Sequence, residues 1–369
     1  MTPLPEMLSL RDYGRVIART DTPSYFLYWS DDLQTVSYGD SFTISMGAFR
    51  QLSAYFIKLA EELCEELMLG LQVDVDLAKV KDDLVNTIDG FSFVSHLYNK
   101  LTHAYVQLFK QACVPASGLF DETSGIWKAS AVLRYQRKAE RLLESLAGCI
   151  HTIGGQTGRS PELFSLTYQN SALGERGLYI YNGSVMTLTR HHKAKRSTNR
   201  EFNVARFLPL RVGRVVFRYL AYIRPFVTRL RQEPAFMQRS SAERIVSSPL
   251  LFTSDIDGLR PWDASKLSAI FRKATSICWD TCVTPQLYRQ LVIGITEKQV
   301  AEIATPFNRY DDISPDASIN AVFAWQSSHR PMQRANTYGL DGAFPTQLQP
   351  ALLRIYEWAS RAGLRVGNK

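Results

Sequence analysis

The chain is 369 residues long, 45% apolar and 21% charged, with a formal net charge of +8. That length allows two domains and a sizeable core. No apolar run approaches the roughly 18 residues of a membrane span, and MTPLPEMLSLRDYGR lacks the basic-then-apolar layout of a secretion signal, so neither a membrane nor a secreted protein is expected.

Charge is unevenly distributed. Residues 1–120 hold 9 Lys/Arg against 15 Asp/Glu, whereas residues 121–369 hold 34 against 20. The asymmetry predicts two units, 1–120 and 121–369, the second facing a polyanion, for which nucleic acid is the natural candidate. Cys64, Cys113, Cys149, Cys278 and Cys282 form an odd set without CxxC spacing, which predicts reduced thiols in the cytosol or nucleus. Cys278 and Cys282 are four apart in ICWDTC, but no second ligand pair accompanies them and no metal site is expected.

In chain order, residues 1–43 read as irregular, with turn signals at Asp31-Asp32 and Gly39-Asp40. From about Ser45, Phe49, Leu52, Phe56, Leu59 and Leu63 recur at helical steps, leaving Glu61, Glu62, Glu65 and Glu66 as a solvated face. LAKVKDDLVNTI and FVSHLYNKLTHAYVQLFKQA predict two more helices, making a helical bundle that ends at a linker, Pro115-Ala-Ser-Gly118. A long helix, IWKASAVLRYQRKAERLLESLAGCIHTI, then leads to Gly154-Gly155. In GGQTGRSPELF, Ser160 is expected as N-cap with Pro161 at the first helical position.

LYIYNGSVMTLTR and EFNVARFLPL predict about three strands, with a hairpin turn at Asn182-Gly183 and a basic turn HHKAKR between the runs. Helices are expected over 213–236, 263–279 and 284–305, with a short strand at Leu250-Leu251-Phe252 and more helix near LQPALLRIYEWASRAG. The fold class is therefore α+β, mostly helical, with a small antiparallel sheet.

Four stretches carry candidate chemistry. Each has a plain alternative: Arg159 paired with Glu162, HHKAKR a solvated turn or nuclear-import signal, Arg289 an ion pair, and His329 or Tyr338 core or surface. Read together they are an ordered set: Arg159 in TGRSPEL, Lys193 (or Lys195) on the hairpin, Arg289 in TPQLYR, His329 in SHR, and Tyr338 nine residues later. This order and spacing resembles the tyrosine recombinase, or phage integrase, family. TGRSPEL resembles its T-G-x-R-x-x-E-L motif, TPQLYR its T-P-H-x-L-R motif, and the His329–Tyr338 spacing its G-H-S motif and nucleophile. The match spans about residues 125–369, and TGRSPELFSLTY, HHK and FLPLRVGRVVFRYLAYIRPF resemble the recombinase-type domains of fungal Crypton-like elements most closely.

The resemblance implies a core-binding-like helical domain at 1–120 and a catalytic domain at 121–369. It implies a catalytic set of Arg159, Lys193, Gln286, Arg289, His329 and Tyr338, supported by Glu162. It also implies cleavage and rejoining of double-stranded DNA through a 3′-phosphotyrosyl intermediate, for integration of a mobile element in the nucleus. The protein would act as a dimer on one site and a tetramer on paired sites, with no cofactor and no metal. Two positions depart from the pattern: Gln286 stands where the family has histidine, and Ser328 where it has glycine. A glutamine can hydrogen-bond a phosphate oxygen but cannot shuttle a proton, so a DNA-binding remnant without catalysis is the alternative.

Overall fold

The structure is a computed structural model that describes residues 27–39, 42–191, 202–233, 248–253, 260–299, 322 and 356–361. The chain divides into two units, Met1–Phe49 and Arg50–Lys369. In the first, β1 (Leu27–Trp29), β2 (Thr35–Tyr38) and β3 (Phe42–Ser45) form an antiparallel sheet in the order β1-β2-β3, where irregular chain was expected. Asp32 nucleates its first turn: Oδ1 accepts from the Ser30 hydroxyl at 2.6 Å and the Gln34 N–H at 3.0 Å.

Helix α1 (Met46–Leu67) carries the chain into the second unit as its periodicity predicts, burying Leu52, Phe56, Ala60, Leu63 and Leu67. Its acidic face is not simply solvated. Glu61 accepts from Arg211 at 2.8 Å, Glu65 pairs with Arg218, and Glu66 lies 2.7 Å from Lys138. Carboxylates before residue 120 thus neutralise cations beyond it, within one unit.

The expected helix LAKVKDDLVNTI does not form. Within it, Asx side chains capture backbone N–H groups that a helix would use: Asp83 accepts from Val85 and Asn86 from Ile88. Of the next predicted helix, only its second half is α-helical, α2 (Tyr105–Cys113), preceded by one 3₁₀ turn at Leu97–Asn99. A helical bundle is therefore not what the described residues before 120 build. Pro115–Ser117 is a 3₁₀ turn closed by the Ser117 hydroxyl on the Ala112 carbonyl, and a two-stranded ribbon follows, β4 (Phe120–Asp121) with β5 (Ile126–Trp127).

Helix α3 (Ala129–Ile153) is the long central element and ends at Gly154 as expected. After α4 (Ser160–Phe164) come β6 (Leu178–Tyr181), β7 (Ser184–His191) and β8 (Phe202–Phe207), an antiparallel sheet in the order β6-β7-β8. The Asn182-Gly183 turn is a two-residue loop between paired Tyr181 and Ser184, with φ of 48° and 70°, the positive-φ pair that matches strand twist. Helices α5 (Leu210–Arg218) and α6 (Arg224–Arg231) are joined by a buried π turn, Tyr219–Ile223.

Segment 248–253 makes isolated bridges, Thr167 to Leu250 and Thr253 to Pro261, in place of the expected strand. The Arg224 guanidinium holds it by donating to the Ser248, Leu250 and Leu251 carbonyls. Helices α7 (Ala264–Trp279) and α8 (Pro285–Gln299) complete the described fold. The core that positions α8 is aromatic: Phe271 lies 5.9 Å from Phe56 and 5.3 Å from Tyr288. The architecture is α+β. Among the described residues, no helix is long and apolar enough to cross a membrane.

Candidate active site

The turn 154–158, GGQTG, is wedged between β8 and α8. Arg206 of β8, only 4% exposed, runs along it, donating from Nε to the Gln156 carbonyl at 2.9 Å and from Nη1 to the Thr189 hydroxyl at 2.9 Å. The glycines make room for this arginine. A Cβ on Gly158 would stand 3.1 Å from both Arg206 Nη2 and Glu162 Oε2, and one on Gly154 would stand 3.3 Å from Arg206 Cβ. On the other side, Gln156 Nε2 donates to Thr296 Oγ1 of α8 at 2.6 Å, across 140 positions of sequence.

Helix α4 starts one residue earlier than expected: Arg159 is the N-cap and Ser160 the first helical residue. The reason is Glu162, three residues on, whose Oε2 accepts from the Arg159 backbone N–H at 3.0 Å, one half of a capping box. Glu162 is buried at 8% exposure beside Arg206, and its negative charge favours the charged form of that guanidinium against the cost of burial. Glu162 therefore fixes Arg159 through the main chain, and Arg159 itself is half-buried at the helix mouth.

Helix α8 opens with Thr284, whose hydroxyl accepts from the Leu287 N–H, and with Pro285 at the first helical position. Tyr288 points into the core, against Phe271, Trp279 and His151. That anchor leaves Arg289 half-buried and Gln286 exposed one turn before it.

His151, on the last turn of α3, connects these pieces. Its ring lies 5.0 Å from Phe271 and is 4% exposed, and Nε2 has no hydrogen-bond partner among the described residues. Burial lowers its pKa to about 3, with the positive charges of Arg206 and then Arg289 adding to the shift and Glu162 opposing it. Two arginines from distant segments and the capping carboxylate of α4 thus act on one buried imidazole.

Because the folded pKa lies below the ordinary value of 6.5, the unfolded chain takes up a proton that the native state excludes. Stability from this group is present above about pH 6.5 and is lost as pH falls towards 3, by up to ~1.4 kcal/mol per unit. His151→Gln is expected to flatten the acid side of the stability profile by about one proton. Urea unfolding midpoints at neutral and mildly acidic pH measure this, and an unchanged pH slope in the variant would contradict it.

Of the sequence-derived set, Arg159, Glu162, Gln286 and Arg289 are among the described residues; Lys193, its alternative Lys195, His329 and Tyr338 lie outside them. Lys193 and Lys195 belong to the stretch that joins β7 to β8. Sequence reasoning did not select His151 or Arg206. The available signal for Arg206 was a lone charge inside the apolar strand run of VARFLPL; His151 carried none. No protein-family model matches the chain, and no solved structure matches it.

Proposed function

We propose that the protein is a tyrosine recombinase that cuts and rejoins double-stranded DNA, with Arg159 and Arg289 as its phosphate-binding guanidiniums. The observation that carries the reading is geometric: the Gln156–Thr296 hydrogen bond ties the turn that leads into Arg159 to α8, the helix that carries Arg289. The excess of Lys/Arg beyond residue 120 supports a polyanionic substrate.

In this mechanism the Tyr338 phenol releases its proton to solvent and its oxygen attacks a DNA phosphorus. The Tyr–O–P bond forms, the bond to the 5′ oxygen breaks, and a 3′-phosphotyrosyl link with a free 5′-hydroxyl results. Arg159 and Arg289 offer planar forks of donors, always charged, to the non-bridging oxygens of the pentacoordinate intermediate, and His329 adds another donor. Lys193 gives a proton to the leaving 5′ oxygen. The tyrosine ester conserves the energy of the phosphodiester, so religation by the reverse attack needs no nucleotide. The biological setting would be integration of a mobile element in the nucleus, by a dimer on each site and a tetramer on paired sites.

Gln286, exposed on α8, favours a second reading in which the fold binds DNA but no longer cuts it. A suicide duplex, nicked so that the freed 5′ end diffuses away, separates the two. A live site traps protein covalently on a 3′-phosphate in EDTA without ATP. Tight binding to a verified cognate duplex with no adduct establishes the remnant. If lost proton handling limits the rate, Gln286→His is expected to raise the adduct yield; no change shows that position 286 is not limiting.

A further inference from the structure

Helix α3 carries Arg134, Arg137, Lys138 and Arg141, all exposed, at the i, i+3, i+4, i+7 spacing that forms one face of a helix. Several cations elsewhere in the unit are ion-paired. Arg211 and Arg218 are paired with Glu61 and Glu65, Arg176 with Asp82, Lys58 with Glu62, and Arg229 with Glu233. The carboxylates nearest the stripe on α3, Glu140 and Glu144, both turn to Lys266, at 2.9 and 2.6 Å. Lys138 takes Glu66. Arg134, Arg137 and Arg141 have no ion-pair partner among the described residues, so three guanidiniums stand in line, uncompensated, on a rigid helix.

We infer that this stripe is a second landing surface for the phosphate backbone of duplex DNA, apart from the candidate active site at the far end of α3. The inference rests on the DNA reading above for the identity of its partner. From Arg134 to Arg141 the helix rises about 10 Å, a span over which one strand of duplex DNA carries about four phosphates, enough for each of the three arginines to have a phosphate of its own. Arginine suits the task because its fork pairs with phosphate oxygens in two directions. A membrane is the less fitting polyanion. The apolar face of α3 is buried in the core, through Val132, Tyr135, Ala139, Leu142 and Leu146, and Leu133 alone is a large apolar side chain exposed on the helix, too little surface to anchor it in a bilayer.

The test is duplex affinity against salt for the full chain, for Arg134→Gln/Arg137→Gln/Arg141→Gln, and for a charge-matched control, Lys58→Gln/Lys79→Gln/Arg229→Gln, which removes exposed cations already paired within the protein. Losing three phosphate contacts is expected to make the log–log slope shallower by between about 2 and 3 and to weaken binding by about tenfold or more, the control remaining close to wild type. Arg→Lys at the same three positions is expected to restore most of the slope. A stripe variant with wild-type slope, or an equal fall in the control, overturns the inference while leaving the cleavage reading intact. Wild-type protein that binds anionic vesicles but no duplex also overturns it. Conversely, the expected slope change without any covalent adduct sustains the stripe and fails the cleavage reading.

Discussion

Arg289→Ala is expected to lower the rate of covalent adduct formation on a suicide duplex by about 10²- to 10³-fold, with little change in duplex affinity. Attack on a phosphodiester builds extra charge on the non-bridging oxygens, and a preorganised donor aimed at that charge contributes about 3–4 kcal/mol where water is excluded. Arg289 is well placed to be preorganised. Tyr288 beside it is locked between Phe271 and Trp279, and α8 is tied to the glycine turn by the Gln156–Thr296 hydrogen bond. Arg289→Lys is expected to recover only part of the rate, because an ammonium lacks the planar fork. Affinity is largely retained since many phosphate contacts share it. Single-turnover trapping with a matched binding titration measures both quantities. An equal loss of rate and affinity would assign Arg289 to ground-state binding instead.

The second large effect is on stability. Asp82→Ala is expected to destabilise the protein by about 3–5 kcal/mol, because it strands a guanidinium in the interior. Arg176 is 1% exposed; it donates to Asp82 Oδ1 at 2.7 Å, the Asp83 carbonyl at 2.7 Å and Asn170 Oδ1 at 3.2 Å, and it sits 4.3 Å over the Tyr179 ring. Burial pushes the Asp82 carboxyl upward, against the pull of Arg176 and the Ile180 N–H, so desolvation consumes much of the pair's attraction. For that reason the double variant Asp82→Ala/Arg176→Met is expected to be more stable than Asp82→Ala alone. Urea unfolding midpoints of the three proteins decide this, and a single variant within about 1 kcal/mol of wild type would show that the pair is dispensable.

Asp82 also explains where the sequence misleads. LAKVKDDLVNTI has apolar residues at helical spacing, yet its Asp and Asn side chains bond locally to the backbone, and Asp82 is drawn to Arg176 and the Ile180 N–H of β6. That distant partner is invisible to a local periodicity. The hairpin at Asn182-Gly183, α3, α7 and α8 were legible because each is encoded by its own turn residues or apolar stripe. The sheet β1-β2-β3 was missed because its strands are only three or four residues long, too short to show alternation. At the candidate site, Arg159 and Arg289 could be named from motif spacing. His151 and Arg206 could not, since their importance lies in which charges surround them once α3, α4, β8 and α8 meet.

The most direct measurement is the identity of the residue that carries DNA after trapping on a suicide duplex. Trypsin releases residues 335–354, ANTYGLDGAFPTQLQPALLR, in which Tyr338 is the single tyrosine. Mass spectrometry of the nuclease-trimmed adduct is expected to find the nucleotide mass on this peptide, at Tyr338, through a 3′-phosphate. A nucleotide on any other residue, or a cognate duplex bound tightly with no adduct on any peptide, would contradict the account.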